Sequence, residues 1–394
     1  MVKGGENSQS DLIMNRRGLV VGNYCHDVLI KDNLVIGESL GGAASFVSNV
    51  LDGLSIQCDF ISKVGFDFAY SVSHLPIQNS SFKTTLFHAY FSSIPADKDG
   101  NRDRILKRVH SCDPIVPSDL PDLDFDFGLA VGVAGEILPQ TLERMLDLCR
   151  VVFVDIQALI RVFDPIDGTV KHVGLRESGF FHLLPRIGFL KASAEEAPFV
   201  DIEEARKWCC VVVTDGKDGC RVYWKDGELQ ISPFPTTQVD PTGAGDSFLG
   251  ALVAGLNWGL SVPDAALLGN FFGSLTVGQI GLPKFELWLL QRIKDDLLRR
   301  RLQCVGQCET RTVGSEFRKS VEHEDLQASL AVAAKLLSTY SNQDYHCNSQ
   351  NSPDNAVGQC MNNCSNCEQK VLVNPLCEEP ITVEDQSRHT ASSA

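Results

Sequence analysis

Short β-branched runs alternate with amphipathic stretches along most of the chain. The run GLVVGNYCHDVLI at 18–30 predicts a buried first strand, and CDFISKVG at 58–65 predicts a second. Between them, GGAASFVSNVLDGLS at 41–55 has a glycine turn followed by apolar residues at helical spacing. The opening of the chain therefore predicts a strand–helix–strand unit.

The later chain repeats this rhythm. Four more apolar runs predict strands, each followed by a helical or turn segment: FGLAVGVAG (127–135), VVFVDIQ (151–157), IGFLKAS (187–193) and CCVVVTDG (209–216). Such alternation is typical of an α/β fold with a doubly wound, mostly parallel sheet. The alternating pattern of 82–110, which has a charged tip, predicts a separate hairpin that could cover a site as a small β lid.

The composition divides the chain into three segments. Residues 1–17 predict a flexible arm, 18–303 a single α/β domain, and 304–394 a largely disordered extension rich in Ser, Asn and Cys. One helical pattern, DLQASLAVAAKLLSTY, interrupts that extension. Its cysteine cluster CMNNCSNC indicates either zinc ligands or unpaired thiols, and the irregular spacing favours thiols.

Charge and cysteine usage limit the partners and the compartment. With 35 Lys and Arg against 50 Asp and Glu, the net charge is −15, which argues against nucleic acid and anionic membranes as partners. No run of about 18 apolar residues predicts a membrane span. The first residues lack the apolar segment of a secretory signal, and the 14 cysteines are typical of reduced thiols, so we expect a cytoplasmic protein.

The stretch QVDPTGAGDSFLGALVAGLNWGL at 238–260 carries the candidate chemistry. A glycine pair before a helix is often only a tight turn. Here, however, the backbone N–H groups of Gly243, Ala244 and Gly245 stand at a helix N-terminus, where they can converge on an anion. Asp246 follows at once, and a carboxylate beside a phosphate site suits a base that takes a proton from a hydroxyl. The combination predicts phosphoryl transfer to an alcohol.

Two other phosphate-binding motifs do not fit this stretch. The chain has no G-x-x-x-x-G-K-[ST] sequence, which excludes a P-loop enzyme. The glycine loop lies late in the domain and lacks the third glycine of a dinucleotide-binding fingerprint.

DPTGAGDSFLGAL and GGAASFVSNV resemble the two signatures of the PfkB, or ribokinase-like, carbohydrate kinases. The resemblance spans about residues 18–290. Within the family, LGGAASFVSNVLDGL, VDIQALIRVFDP and FLKASAEEAP are most similar to the plant myo-inositol kinases. The resemblance implies a ribokinase-like fold with a small β lid, ATP as phosphoryl donor, Mg²⁺, and a polyol acceptor.

The family's functional positions can be carried onto this sequence. The resemblance implies that Asp246 is the catalytic base and that Gly243, Ala244 and Gly245 form the anion hole. It implies that Asp27 binds substrate hydroxyls, with Gly41 and Gly42 lining the same pocket. It further implies ATP-side roles for Ser193, Glu196, Thr214, Gly216 and Asn270, and a possible K⁺ site at Asp240 and Thr242.

Several of these positions keep an alternative. Glu196 is either a contact to Mg²⁺ through water or an acid at a helix N-terminus. Arg161, also a candidate substrate contact, is either a solvated helix start or a cation that neutralises phosphate charge. Ser193 departs from the Asn of most relatives, which makes its contact shorter or water-mediated. Phe46 departs from a substrate-binding Asn, which changes the acceptor class and is compatible with a ring polyol.

The resemblance therefore predicts ATP-dependent phosphorylation of a hydroxyl of myo-inositol to inositol monophosphate, with specificity as an inositol 3-kinase. The alternatives are a fructokinase, an adenosine kinase, or a catalytically idle scaffold of the same fold. The lid is also a candidate surface for a homodimer.

Overall fold

The structure, a computed structural model, describes residues 16–91, 105–306 and 315–348. The chain divides into two units, Met1–Tyr340 and Ser341–Ala394, and the fold described below belongs to the first. The arm at 1–15, the charged lid tip at 92–104 and the cysteine cluster of the extension lie outside the described residues.

Sixteen strands and eight α-helices are described in these ranges. The strands are β1 Gly18–Val21, β2 Cys25–Lys31, β3 Leu34–Gly41, β4 Cys58–Ile61, β5 Lys63–Gly65, β6 Ile77–Asn79, β7 Thr85–Phe91, β8 Ile105–His110, β9 Phe127–Ala130, β10 Val152–Asp155, β11 Arg161–Phe163, β12 Val170–His172, β13 Phe189–Ser193, β14 Cys210–Thr214, β15 Cys220–Trp224 and β16 Gly227–Ile231. The helices are α1 Ala43–Gly53, α2 Pro139–Leu148, α3 Gln157–Ile160, α4 Ile202–Ala205, α5 Ala244–Trp258, α6 Val262–Val277, α7 Leu287–Gly306 and α8 His323–Asn348.

The main sheet has eight strands in the order β16-β15-β14-β13-β10-β9-β1-β4. The strands from β4 to β14 pair in parallel, and β15 and β16 add an antiparallel hairpin at one edge. The predicted doubly wound, mostly parallel α/β fold is confirmed. Because parallel strands end at the same edge of a sheet, the residues that follow β10, β13 and β14 lie along one edge.

A second sheet of four strands, in the order β3-β2-β7-β8, forms the lid. The predicted hairpin at 82–110 supplies only β7 and β8, which pair antiparallel. The prediction of a single strand over 18–30 is wrong, since β1 lies in the main sheet and β2 in the lid. The chain leaves the main sheet at Asn23, whose backbone N–H donates to Glu136 Oε1 over 3.0 Å and whose side chain accepts from the Lys63 N–H over 2.7 Å.

Strand β3, which the sequence pattern did not predict, joins β2 through a tight turn. Asp32 and Asn33 have φ angles of 50° and 65° at the two central positions. Asp and Asn tolerate the left-handed region that a two-residue hairpin turn requires.

Helices on both faces bury the main sheet. Helix α5 packs against α6 and against α1 in the larger core cluster. Leu326, Leu330 and Ala333 of α8 are buried in the same cluster. The first unit therefore runs to Tyr340, and the domain boundary predicted at residue 303 falls inside it. Among the described helices, none is long and apolar enough to cross a membrane.

Candidate active site

The glycine loop opens helix α5 at the edge of the main sheet. Gly243, the residue before the helix, has φ 75° and ψ 0°, a left-handed conformation that glycine adopts without strain. A Cβ at this position would lie 2.1 Å from the ring of Phe46, so the aromatic ring packs directly on the loop backbone. The N–H groups of the first helical turn lack intrahelical partners and carry partial positive charge, an arrangement that favours an anion.

Asp246 lies in the first turn of α5 and is held by a side chain from another element. Gln157, the first residue of α3, donates from Nε2 to Asp246 Oδ1 over 3.0 Å. Burial raises the pKa of the Asp246 carboxyl above its ordinary value, although Lys191, Arg161 and the Gln157 hydrogen bond oppose the shift. The carboxylate is therefore a stronger base than an exposed aspartate.

A buried ion pair lies beneath the loop. Lys191 Nζ is 3.0 Å from Asp155 Oδ2, and both side chains are almost inaccessible to solvent. A Cβ on Gly245 would lie 2.7 Å from Lys191 Nζ, so only glycine lets the loop approach the ammonium this closely. Burial disfavours the ammonium form, but Asp155 and Glu196 outweigh that effect and raise the pKa of Lys191. The lysine therefore stays charged under the glycine loop.

Ser193 and Glu196 hold each other at the end of β13. The Ser193 N–H donates to Glu196 Oε2 over 2.9 Å, and the Glu196 N–H donates to Ser193 Oγ over 3.2 Å. Burial favours the protonated carboxyl, but Lys191 and Arg161 outweigh it and hold the pKa of Glu196 below its usual range. Ser193 thus fixes a buried, ionised Glu196.

A cleft between the lid and the loop brings the predicted acceptor residues together. A Cβ on Gly41 would lie 2.0 Å from Asp27 Oδ2, so glycine leaves the room that the Asp27 carboxylate occupies. Gly42 has φ 84° and stands before α1. Acidic, basic, amide and apolar side chains line the cleft: Asp27, Leu29, Gly42, Ala43, Phe46, Phe87, Ala89, Leu106, Val133, Gln157, Arg161, Thr242, Gly243 and Asp246.

The predicted nucleotide-side residues lie further along the same sheet edge. Thr214 ends β14 and donates from Oγ1 to the Ala192 carbonyl over 3.3 Å. Gly216, at φ 48°, has open space around its Cβ position. Asn270 donates from Nδ2 to the carbonyls of Ile231 and Ser232, over 3.2 and 2.9 Å, and so ties α6 to the end of β16.

Asp240 and Thr242 form a local turn before the loop. Asp240 Oδ1 accepts from the Thr242 N–H over 2.9 Å and from Thr242 Oγ1 over 2.6 Å. Asp240 Oδ2 is buried and has no hydrogen-bond partner among the described residues. Within these residues, no group of three or more His, Cys, Asp and Glu side chains is arranged to hold a metal ion.

The sequence motifs did not mark Lys191, Asp155 or Gln157 as site residues. A signal for the first two was present, because Lys191 interrupts the apolar run FLKAS and Asp155 ends the run VVFVD. A charge inside a buried strand needs a partner of opposite charge. No pattern in the sequence marked the contact between Gln157 and Asp246, which are 89 positions apart.

Comparison with known proteins identifies the family. The model of the pfkB family carbohydrate kinases matches residues 183–285, a range that holds Ser193, Glu196 and the glycine loop with Asp246. The chain is 63% identical over 292 residues to inositol 3-kinase of Arabidopsis thaliana, covering 74% of this chain and 82% of that protein. It is 53% identical over 330 residues to inositol 3-kinase of Oryza sativa subsp. japonica, covering 81% of this chain and 82% of that protein.

Solved structures show the same fold at much lower identity. A pyrophosphate-dependent kinase in the ribokinase family, complexed with a pyrophosphate analogue and myo-inositol, matches with a TM-score of 0.56 at 16% identity, over 73% of this chain and 99% of that chain. This likeness shows the ribokinase-like fold. The much higher identity to the plant relatives also establishes the family. The chain belongs to the pfkB family of carbohydrate kinases.

Proposed function

We propose that this protein is an ATP-dependent kinase that phosphorylates a hydroxyl of myo-inositol and yields inositol monophosphate, as its relatives named inositol 3-kinase suggest. The observation that carries the proposal is the position of Asp246. Its half-buried carboxylate follows directly on a glycine loop at a helix N-terminus and faces a cleft lined by Asp27 and Arg161. A base beside an anion hole is the arrangement that phosphoryl transfer to an alcohol needs.

In the proposed reaction, Asp246 accepts the proton of the attacking hydroxyl. The hydroxyl oxygen forms a bond to the γ-phosphorus while the bond from that phosphorus to the β–γ bridging oxygen breaks. The N–H groups of Gly243, Ala244 and Gly245 stabilise the charge on the transferring group. Lys191 lies beneath the loop and adds a fixed positive charge that needs no rearrangement during the reaction.

The acceptor subsite combines polar and apolar walls. We propose that Asp27 and Arg161 bind ring hydroxyls, with the backbone of Gly41 and Gly42 beside them. Phe46 and Phe87 supply apolar surface to the same cleft. A ring polyol presents both hydroxyls and a C–H face, so it suits this mixture better than an open-chain sugar.

Glu196 is the residue that would hold Mg²⁺ on the ATP side, through water. Its ionised, buried carboxylate fits a hard cation, for which oxygen is the preferred ligand. Bound Mg²⁺ supplies charge neutralisation for the phosphates. Thr214, Gly216 and Asn270 are proposed to lie along the nucleotide, with Ser193 holding Glu196 in place.

Asp240 and Thr242 are proposed to bind a monovalent cation such as K⁺. The support is Asp240 Oδ2, a buried oxygen without a hydrogen-bond partner in the described part of the chain. A buried carboxylate oxygen of this kind is costly unless a donor or a cation satisfies it.

The lid is proposed to form a homodimer surface, and the cytosol is the proposed compartment. Strand β3 is an edge strand, and its residues Leu34, Val35 and Ile36 are 70%, 60% and 57% exposed. Exposed apolar residues on a sheet edge favour pairing with another chain. The seven cysteines whose side chains the structure describes are free thiols, which fits a reducing compartment.

An acceptor panel tests the proposed function. The purified chain is assayed with ATP and myo-inositol, beside fructose, adenosine and ribose, and ADP release is compared with acceptor phosphorylation. We expect kcat/KM to be highest for myo-inositol. A higher value for fructose or adenosine would reassign the acceptor, and ATP binding without turnover of any acceptor would favour a catalytically idle scaffold.

A further inference from the structure

Gln157 connects the proposed base to the buried ion pair. Its side-chain Nε2 donates to Asp246 Oδ1 over 3.0 Å, and its backbone N–H donates to Asp155 Oδ1 over 3.3 Å. The other Asp155 oxygen accepts from Lys191 Nζ over 3.0 Å. Gln157 therefore joins the start of α5 to the end of β10, and Asp155 in turn joins β10 to β13.

The orientation of the Gln157 amide is fixed by chemistry. An ionised carboxylate only accepts hydrogen bonds, so the NH₂ group of Gln157 faces Asp246. Gln157 is only 6% exposed, and it starts a one-turn helix whose residues are all buried. The amide therefore has little freedom to leave the carboxylate.

We propose that Gln157 is a positioning residue, which holds Asp246 Oδ1 and thereby presents Oδ2 to the acceptor hydroxyl. This inference rests on the proposed role of Asp246 as the base. Holding one oxygen fixes the plane of the carboxylate, and with it the line of proton transfer. A general base acts only when its free oxygen lies within hydrogen-bond reach of the proton that it removes.

Gln157 also lowers the proton affinity of the base. Burial and the charges of Asp155 and Glu196 favour a protonated Asp246, whereas Lys191, Arg161 and the Gln157 hydrogen bond favour the ionised form. Losing the amide donor removes one of the three interactions that favour the ionised form of Asp246. Because Asp246 must be ionised to accept a proton, the acid limb of the pH–rate profile then moves to higher pH.

Two substitutions of similar shape separate positioning from simple packing. Gln157→Leu removes the donor, and we expect kcat to fall about 10- to 100-fold while KM for ATP stays within about twofold. Gln157→Glu puts a second carboxylate beside Asp246, and we expect the acid limb of kcat/KM to rise by about one pH unit or more, with partial recovery of rate at high pH. Gln140→Glu, on the exposed side of α2, is the matched charge control and should leave both values unchanged.

The assay uses the full chain and the acceptor with the highest kcat/KM, so a wrong acceptor assignment does not obscure the Gln157 effect. A second readout needs no turnover. The carboxyl carbon of Asp246, identified by its loss in Asp246→Asn, is titrated by ¹³C NMR in wild type and in Gln157→Leu, and the pKa should be higher in the variant. Unchanged kcat and pH profile, or an unchanged Asp246 titration in a folded Gln157→Leu variant, would overturn the inference. Absence of turnover with every acceptor would contradict only the proposed function.

Discussion

Substituting Gly243 by alanine tests how the anion loop is built. Two costs are combined at this residue. The backbone has φ 75°, where an L-residue other than glycine is strained by roughly 1–2 kcal/mol. The added Cβ would also lie 2.1 Å from the ring of Phe46, a side chain that is 2% exposed and cannot move freely.

The expected loss of stability in Gly243→Ala is the sum of these two costs. Overpacking a well-packed site costs about 1–3 kcal/mol, so Gly243→Ala should lower the free energy of unfolding by about 2–5 kcal/mol. Gly259 at the other end of α5 offers a matched control, with φ 96° and open space around its Cβ position. Gly259→Ala carries the backbone strain alone and should cost about 1–2 kcal/mol.

Urea unfolding, followed by circular dichroism, measures the stability of both variants. Steady-state kinetics with the acceptor report on the geometry of the site. In Gly243→Ala the Phe46 ring or the loop must shift, so we expect kcat/KM to fall about 100-fold, whereas Gly259→Ala should keep wild-type kinetics. Adding Phe46→Leu to Gly243→Ala should recover about 1–3 kcal/mol as a coupling energy. Equal destabilisation by the two glycine substitutions would refute the packing of Phe46 on the loop.

Two further perturbations address the charges of the site. Lys191→Met removes the cation from the buried pair. Burial raises the pKa of Asp155 to about 6 even beside Lys191, so the contribution of this carboxyl to wild-type stability falls as the pH rises to that value and then levels off. Without Lys191 the pKa is higher still, and the variant should keep losing about 1.4 kcal/mol of stability per pH unit above pH 6. Parallel stability curves for the variant and wild type from pH 6 to 8, measured by urea unfolding, would contradict this coupling. Replacing K⁺ by tetramethylammonium should lower kcat of the wild type and leave Asp240→Asn insensitive to the cation; equal K⁺ dependence of the two proteins would remove Asp240 from the proposed cation site.

The fold was largely predictable because the apolar runs of the main sheet are buried on both faces. Such strands as β9, β10 and β14 appear in the sequence as short continuous apolar runs. The lid was less predictable. Strand β3 buries only Gly41, and its apolar residues Leu34, Val35 and Ile36 are consecutive and exposed, so the strand lacks the alternation of a half-buried strand. The change of sheet at Asn23 depends on hydrogen bonds to Glu136 and Lys63 that no local pattern encodes.

The candidate site also has a part that the sequence predicts and a part that it does not. Gly243, Gly245 and Asp246 are adjacent in sequence, so their chemistry can be derived from the local order of a loop and a helix. Gln157 and Lys191 reach Asp246 and Gly245 only through the packing of parallel strands, and this depends on strand order rather than on any spacing along the chain. The resemblance to the family did not supply these two residues either.

The role of Asp246 is tested most directly by the transfer of the terminal phosphoryl group from γ-labelled ATP to myo-inositol, in wild type and in Asp246→Asn. The substitution keeps the size of the side chain and removes the proton acceptor. We expect labelled inositol monophosphate from the wild type, a loss of about 100- to 10,000-fold in kcat for the variant, and an unchanged Kd for ATP by calorimetry. An Asp246→Asn enzyme that retains kcat within tenfold of the wild type (about 1.4 kcal/mol in activation free energy) would contradict the assignment of Asp246 as the base.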